Sequence, residues 1–157
     1  MTHLILASQS PRRAELLAQM QLPFTVLVTD IDESRWPEET PAAYVERLAR
    51  EKCCAGQAMA RARYPGEDLV VIGADTIVLL DGEILGKPRS LKDGAAMLGR
   101  LSGRTQEVFS GVAVVHDDVL ESTVVVSKVT FKTLSDSDIT AYPVSYTHLT
   151  LPTRCLG

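Results

Sequence analysis

Four basic side chains, Arg12, Arg13, Lys52 and Lys87, and two carboxylates, Asp75 and Glu33, stand where this sequence could do chemistry. Together they suit a polyphosphate chain with a divalent cation, where catalysis is mainly positioning and charge neutralisation. Arg12 and Arg13 follow Pro11, which is suited to the first position of a helix. Cations at the positive end of a helix cost energy unless an anion lies between them and the free N–H groups. A strand, a tight turn over Ser8–Ser10 and this helix start therefore make a phosphate cradle, the alternative being two solvated arginines on a surface helix. Lys52 lies four residues after Leu48 and seven after Val45, on the apolar stripe of its helix. Its ammonium must snorkel to water or meet an anion. Asp75 follows the most apolar run of the chain, at what reads as a strand's carboxyl end, where α/β sheets bind ligands. It either orients or deprotonates a water there, or is a turn acid satisfied by backbone N–H groups. Lys87 is held extended by Pro88, and Glu33 shares an acidic loop with Asp30 and Asp32 that either joins a metal site or is simply solvated.

The elements that must position these residues follow from pattern. His3 to Ala7 and Phe24 to Val28 predict strands; Pro11 starts a helix, and Thr40-Pro41 caps a long one reaching Arg63. Leu69 to Ala74 predicts a strand covered on both faces, and Gly66 the turn before it. Thr76 to Leu80, Asp81-Gly82 and Glu83 to Leu85 predict a hairpin. Ser90 to Asp93 resembles a capping box opening a helix to Leu101, with Gly103 just beyond. Glu107 to His116 and Val119 to Lys132 are β-rich and split by Asp117-Asp118, and Ser135 to Asp138 begins another helix. The mixture of alternating and hairpin order predicts a single α/β domain around a mixed sheet.

Composition narrows the partners. A chain of 157 residues carrying a net charge of -4 argues against general binding to nucleic acid or an anionic membrane, so an anion site must be local. There is no membrane-length apolar run and no signal-peptide pattern, and the three cysteines make no disulfide framework, which points to a reducing cytoplasm. Walker A, dinucleotide, zinc and nucleophile-elbow signatures are absent, and the three histidines are scattered.

Leu6-Ala-Ser-Gln-Ser-Pro-Arg-Arg13, Glu15-Leu-Leu17, Asp32-Glu33, Arg47-Leu-Ala-Arg-Glu-Lys52, Gly73-Ala-Asp-Thr76, Gly86-Lys87-Pro88 and the segment from Ser102-Gly103 to Gly111 resemble, in order, the motifs of the Maf family of nucleoside triphosphate pyrophosphatases. The resemblance implies an elongated α/β fold of the Maf/ITPase kind, often a homodimer. It also implies hydrolysis of a nucleoside triphosphate to the monophosphate and pyrophosphate with a divalent cation, Mg²⁺ or Mn²⁺. By position, Asp75 corresponds to the family's proton acceptor. Ser8, Arg13, Glu33, Lys52 and Lys87 correspond to its substrate- and metal-site residues, Glu33 and Asp75 being those for the metal. Arg12 and Thr76 match the positions linked to base selection, in the manner of the branch acting on dTTP and UTP; the branch acting on 7-methyl-GTP carries Trp in place of Arg12. The family is associated with removal of non-canonical nucleotides and with inhibition of septum formation, so a non-catalytic nucleotide-binding regulator is the alternative function.

Two departures accompany the resemblance. Gln106 stands where the family often has His. The family also continues past Tyr142 with closing strands and a glutamine that contacts the base, whereas residues 143–157 here contain no acidic residue and look like translated adapter sequence. The expectation is a family domain over residues 1–142, incomplete at its C-terminus, followed by a non-native tail. Such a chain should leave sheet edges and apolar surface open, and be an unstable, nearly inactive fragment.

Overall fold

A computed structural model gives the fold and describes residues 2–85, 90–135 and 137. In order, the elements are β1 (Thr2–Ala7), α1 (Pro11–Ala18), β2 (Thr25–Val26), α2 (Pro41–Arg63), β3 (Asp68–Leu80), β4 (Glu83–Leu85), α3 (Leu91–Leu101), β5 (Thr105–His116) and β6 (Val119–Thr130). The strands form one sheet in the order β2-β1-β3-β5-β6, with β4 pairing β3. β1 runs parallel to β2 and β3, and β4 runs antiparallel to β3, so the sheet is mixed, as expected. Two compact units divide the chain, Met1–Thr76 with Ser110–Val125 and Ile77–Phe109 with Val126–Gly157.

In the first unit, the helix starts lie where the capping chemistry puts them. Ser10 Oγ accepts from the Arg13 N–H at 3.3 Å ahead of Pro11, and Thr40 Oγ1 accepts from the Ala43 N–H at 3.1 Å ahead of Pro41. The core gathers Ile5, Ala7, Ala49, Cys53, Ala60, Val71, Ala113 and Val115. Helix α2 lies unusually close to the sheet. A Cβ at Gly73 would come within 2.5 Å of the Ala49 carbonyl and 2.7 Å of the Cys53 nitrogen, and one at Gly111 would strike the Val45 carbonyl. These two glycines have no side chain because the helix backbone occupies that space.

In the second unit, the hairpin β3–β4 turns on Asp81 (φ 51°) and Gly82 (φ 77°), the positive-φ pair that a two-residue turn requires. Ser90 caps α3, its Oγ accepting from the Asp93 N–H at 3.1 Å. Leu80, Leu101 and Phe131 form the core there. Gln106 is buried in this unit; with its side-chain amide turned to the orientation its neighbours require, the nitrogen donates to the carbonyls of Val129 at 3.2 Å and Arg104 at 3.0 Å.

Two expectations are corrected. The strand expected over Phe24 to Val28 shortens to Thr25–Val26, which pair Ile5 and Leu6. Leu69 to Ala74 and Thr76 to Leu80 are one continuous strand, so Asp75 lies inside β3 rather than at its end. The reason is that β3 changes partners: its pairing with β1 stops at Ala7↔Gly73, and its pairing with β4 covers Val78 to Leu80. Asp75 thus stands just past the end of the parallel ladder, within a strand that carries on. Lys87, almost all of the helix expected from Ser135, and residues 143–157 lie outside the described residues.

Candidate active site

The end of β1 is the origin of the site. The chain leaves the sheet at Ala7, and Ser8, 6% exposed, turns its Oγ back to accept from the Ser10 N–H at 3.1 Å. That turn aims the first turn of α1, and with it Arg13, across the end of the β1–β3 ladder. The Arg13 guanidinium donates to Ser8 Oγ at 3.4 Å and to Thr76 Oγ1 at 3.0 Å, and Thr76 Oγ1 lies 3.4 Å from Ser110 Oγ. All of these partners are neutral hydroxyls. Among the described residues Arg13 forms no ion pair, although burial lowers its pKa and the Asp75 and Glu33 charges only partly offset that. A half-buried guanidinium held by hydroxyls alone is suited to receive an anion.

Asp75 and Thr76 are neighbours on a strand, so their side chains leave on opposite faces. Asp75 shares its face with Val71 and Gly73, the face on which α2 packs. The close approach at Gly73 brings Lys52, the residue before Cys53, onto Asp75: Nζ to Oδ1 is 2.9 Å. The same ammonium reaches Glu33 Oε1 at 2.9 Å. Lys52 therefore does not snorkel to water; it meets two carboxylates. Its side chain is 15% exposed and that of Asp75 13%. The second carboxylate oxygen of Asp75 is buried without a hydrogen-bond partner among the described residues. A buried carboxylate oxygen left that way is costly unless something else occupies its lone pairs.

Of the expected site residues, six form two groups within the first unit: Ser8, Arg13 and Thr76 meet through the Arg13 guanidinium, and Glu33, Lys52 and Asp75 through the Lys52 ammonium, with the Asp75 and Glu33 charges near enough to act on Arg13. Arg12 does not join them by any polar contact among the described residues. Its side chain is 58% exposed, and the guanidinium lies 3.8 Å from Glu15 on its own helix. Three further residues take part that the sequence reading did not single out. Ser110 extends the hydroxyl chain, the Tyr44 hydroxyl donates to the Glu33 carbonyl, and Arg47 binds the loop that carries Glu33. Burial first, then the charges of Asp75 and Glu33, raise the Tyr44 pKa, so it stays a neutral donor. No sequence signal marks Ser110 as more than a strand serine, whereas Tyr44 and Arg47 fall on α2 about two turns and about one turn before Lys52.

A separate group, Asp68, His116 and Asp117, also places potential ligand atoms within 4.8 Å of one another, all three residues being exposed. Asp68 begins β3 and is seven residues from Asp75 on the same strand, so the two places are about 23 Å apart and cannot share an ion.

The family model described as Maf-like protein matches residues 3–152. The dTTP/UTP pyrophosphatase of Escherichia coli (strain K12) is 50% identical over 145 residues, which cover 92% of this chain and 71% of that protein. The nucleoside triphosphate pyrophosphatase of Shigella flexneri is 49% identical over the same shares. Among solved structures, a nucleoside-triphosphatase / dITP/XTP pyrophosphatase from Mycobacterium abscessus aligns over 83% of this chain and 72% of that one, with 18% identity and a TM-score of 0.38, too distant to carry an argument. The motif residues around the β1 end, the family match along nearly the whole chain and the half-identity to these relatives agree: the chain belongs to the Maf family.

Proposed function

We propose that this site hydrolyses a nucleoside triphosphate between its α- and β-phosphates, releasing the monophosphate and pyrophosphate. The observation that carries the reading is Asp75, a buried carboxylate with one oxygen on Lys52 and the other without a partner among the described residues. That second oxygen is the proton acceptor. Water adds to the α-phosphorus, its proton passes to Asp75, and the bond to the bridging oxygen breaks, the electron pair leaving with pyrophosphate. Arg13 and Lys52 neutralise the phosphates, with Lys87 joining them by family position. Ser8 and Thr76 hold the Arg13 fork in place. The names of the relatives, together with Arg12 and Thr76 at the base-selecting positions, favour dTTP and UTP as substrates.

A divalent cation, Mg²⁺ or Mn²⁺, fits this donor set. The Glu33 side chain is 54% exposed with one oxygen on Lys52, which leaves its other oxygen for a cation, and Asp75 is the second carboxylate by family position; this suits an ion that takes one or two carboxylates and fills its shell with water and phosphate oxygens. When bound, it would withdraw charge from the phosphates. The free thiols of Cys53 and Cys54 support a cytoplasmic setting, and a homodimer is the expected assembly on family grounds.

The test is pyrophosphate release from dTTP and UTP by the parent chain and by Asp75→Asn. The expected result is a loss of turnover of about 10³-fold on removing a general base, with nucleotide affinity held within about threefold. Turnover that survives the substitution would remove Asp75 from the role.

A further inference from the structure

Glu33 reaches Lys52 from a stretch of chain with no strand or helix of its own: residues 27–40 cross from β2 to α2 without regular structure. Such a segment has no ladder to fix its carbonyls, yet Glu33 must arrive at one place. The Arg47 guanidinium supplies several of the missing partners, beside Tyr44 on the Glu33 carbonyl and Arg35 on that of Glu39. Arg47, on the second turn of α2, donates from Nε to Glu39 Oε2 at 2.7 Å, and from one terminal nitrogen to Glu39 Oε1 at 2.9 Å and to the Ser34 carbonyl at 2.9 Å. Its other terminal nitrogen reaches Glu51 at 3.2 Å, and its Cζ lies 4.1 Å from the centre of the Trp36 ring. Glu39 Oε1 also accepts from the Trp36 N–H at 3.2 Å. The Arg47 and Glu39 side chains are 11% and 7% exposed, so this is an enclosed pair rather than a surface one.

Two successive carbonyls are pinned as a result. Tyr44 donates to that of Glu33 and Arg47 to that of Ser34. With both held to α2, the Glu33 side chain is left one short reach from Lys52 on the same helix. A buried ion pair is weak evidence for stability, since apolar replacements often serve as well. What only arginine offers is a rigid fork of five donors, and here the fork joins acceptors on the loop to acceptors on the helix.

We propose that Arg47 is a positioning residue for Glu33, a clamp that ties the 33–39 loop to α2 and so delivers the Glu33 carboxylate to Lys52. Its consequence for turnover rests on the phosphohydrolase reading above; its consequence for the loop does not. The variant Arg47→Lys keeps the charge and loses the fork. A second variant, Arg47→Met with Glu39→Leu, removes the clamp without leaving a buried charge unpaired.

Hydrogen exchange of the full chain reads the loop directly. Both variants should speed exchange of the Ser34 and Trp36 amides about tenfold or more while the β3 amides keep their protection. Turnover is then read in a cycle with Glu33→Ala: Arg47→Lys should lower kcat/KM about tenfold in the parent and less than about twofold once Glu33 is gone. Equal losses in both backgrounds, or unchanged exchange at Ser34 and Trp36, would overturn the clamp. If the parent releases no pyrophosphate at all, the phosphohydrolase reading fails and the exchange measurement still decides the clamp.

Discussion

One strand holds two aspartates in opposite circumstances. Asp68, at the start of β3, is exposed, and both its oxygens are partnered: Thr2 Oγ1 donates to Oδ2 at 2.6 Å and His116 Nε2 lies 2.6 Å from Oδ1. Those hydrogen bonds, Thr2's first, hold its pKa below the usual carboxylate range. Asp75, further along, is buried, with one oxygen on Lys52 and the other without a partner among the described residues. Water can satisfy a surface carboxylate whatever its neighbours do. A buried one with an oxygen that no protein group reaches, among the described residues, is costly unless a further group takes up its lone pairs. The acid–histidine group at Asp68 looks more like a metal site by composition, yet its contacts already close on themselves.

The widest gap between the two should appear in turnover. Asp68→Asn is expected to change pyrophosphate release less than about twofold, against the thousandfold-scale loss for Asp75→Asn. Comparable losses at both positions would mean that the contrast between the two aspartates of β3 says nothing about function.

The next effect tests what brings Lys52 to Asp75. Gly73→Ala places a Cβ within 2.5 Å of the Ala49 carbonyl, a backbone atom that cannot swing away. The helix must lift, which should cost about 2 kcal/mol or more of stability from overpacking. It should also lengthen the Lys52–Asp75 contact, so turnover falls together with stability. Gly66→Ala is the control: it has a positive φ of 78° but nothing within 4 Å, so it should cost stability without touching turnover. Urea unfolding and pyrophosphate release on both variants check this, and a Gly73→Ala chain as stable as its parent would contradict the close approach.

Much of this arrangement was legible from local pattern. The phase of Lys52 on the apolar stripe, Thr40-Pro41 as a helix start and Asp81-Gly82 as a turn each depend on a few neighbouring residues, and all were found where expected. What was not legible depends on distant partners. Asp75 looked like the end of a strand because a carboxylate interrupts an apolar run, but a strand ends where its pairing ends, and β3 pairs on with β4 after β1 stops. The Lys52–Asp75 contact joins residues 23 apart and needs Gly73 to let the helix in. Arg47 was visible only as part of a motif, because its acceptors lie in a loop with no periodicity to read. Arg12 and Arg13 share one helix start in the sequence, yet only Arg13 is turned toward Ser8 and Thr76.

The smallest effect belongs to the satisfied end of β3. The hydrogen bond to Asp68, then the charges of Asp117 and Asp68, raise the His116 pKa above 6.5. A raised folded-state value means that the charged imidazole is favoured in the folded chain. This contribution is present in full below the ordinary histidine range and is lost as pH rises through the raised value. Asp68 runs the other way: its lowered value contributes above 3.8 and is lost as pH falls through the folded value. The pair should therefore help most between the two ranges, near pH 5 to 6. Because both groups are exposed, the gain should be slight and should fade with salt. Titration of the His116 ring by NMR should show a midpoint above 6.5 in the parent and a return toward it in Asp68→Asn. The same substitution should lower Tm more at pH 5.5 than at pH 8, if only by about a degree or two. An imidazole that titrates identically with and without Asp68 would show that the contacts there are geometry without energy, and would leave Asp75 with no satisfied counterpart to be compared with.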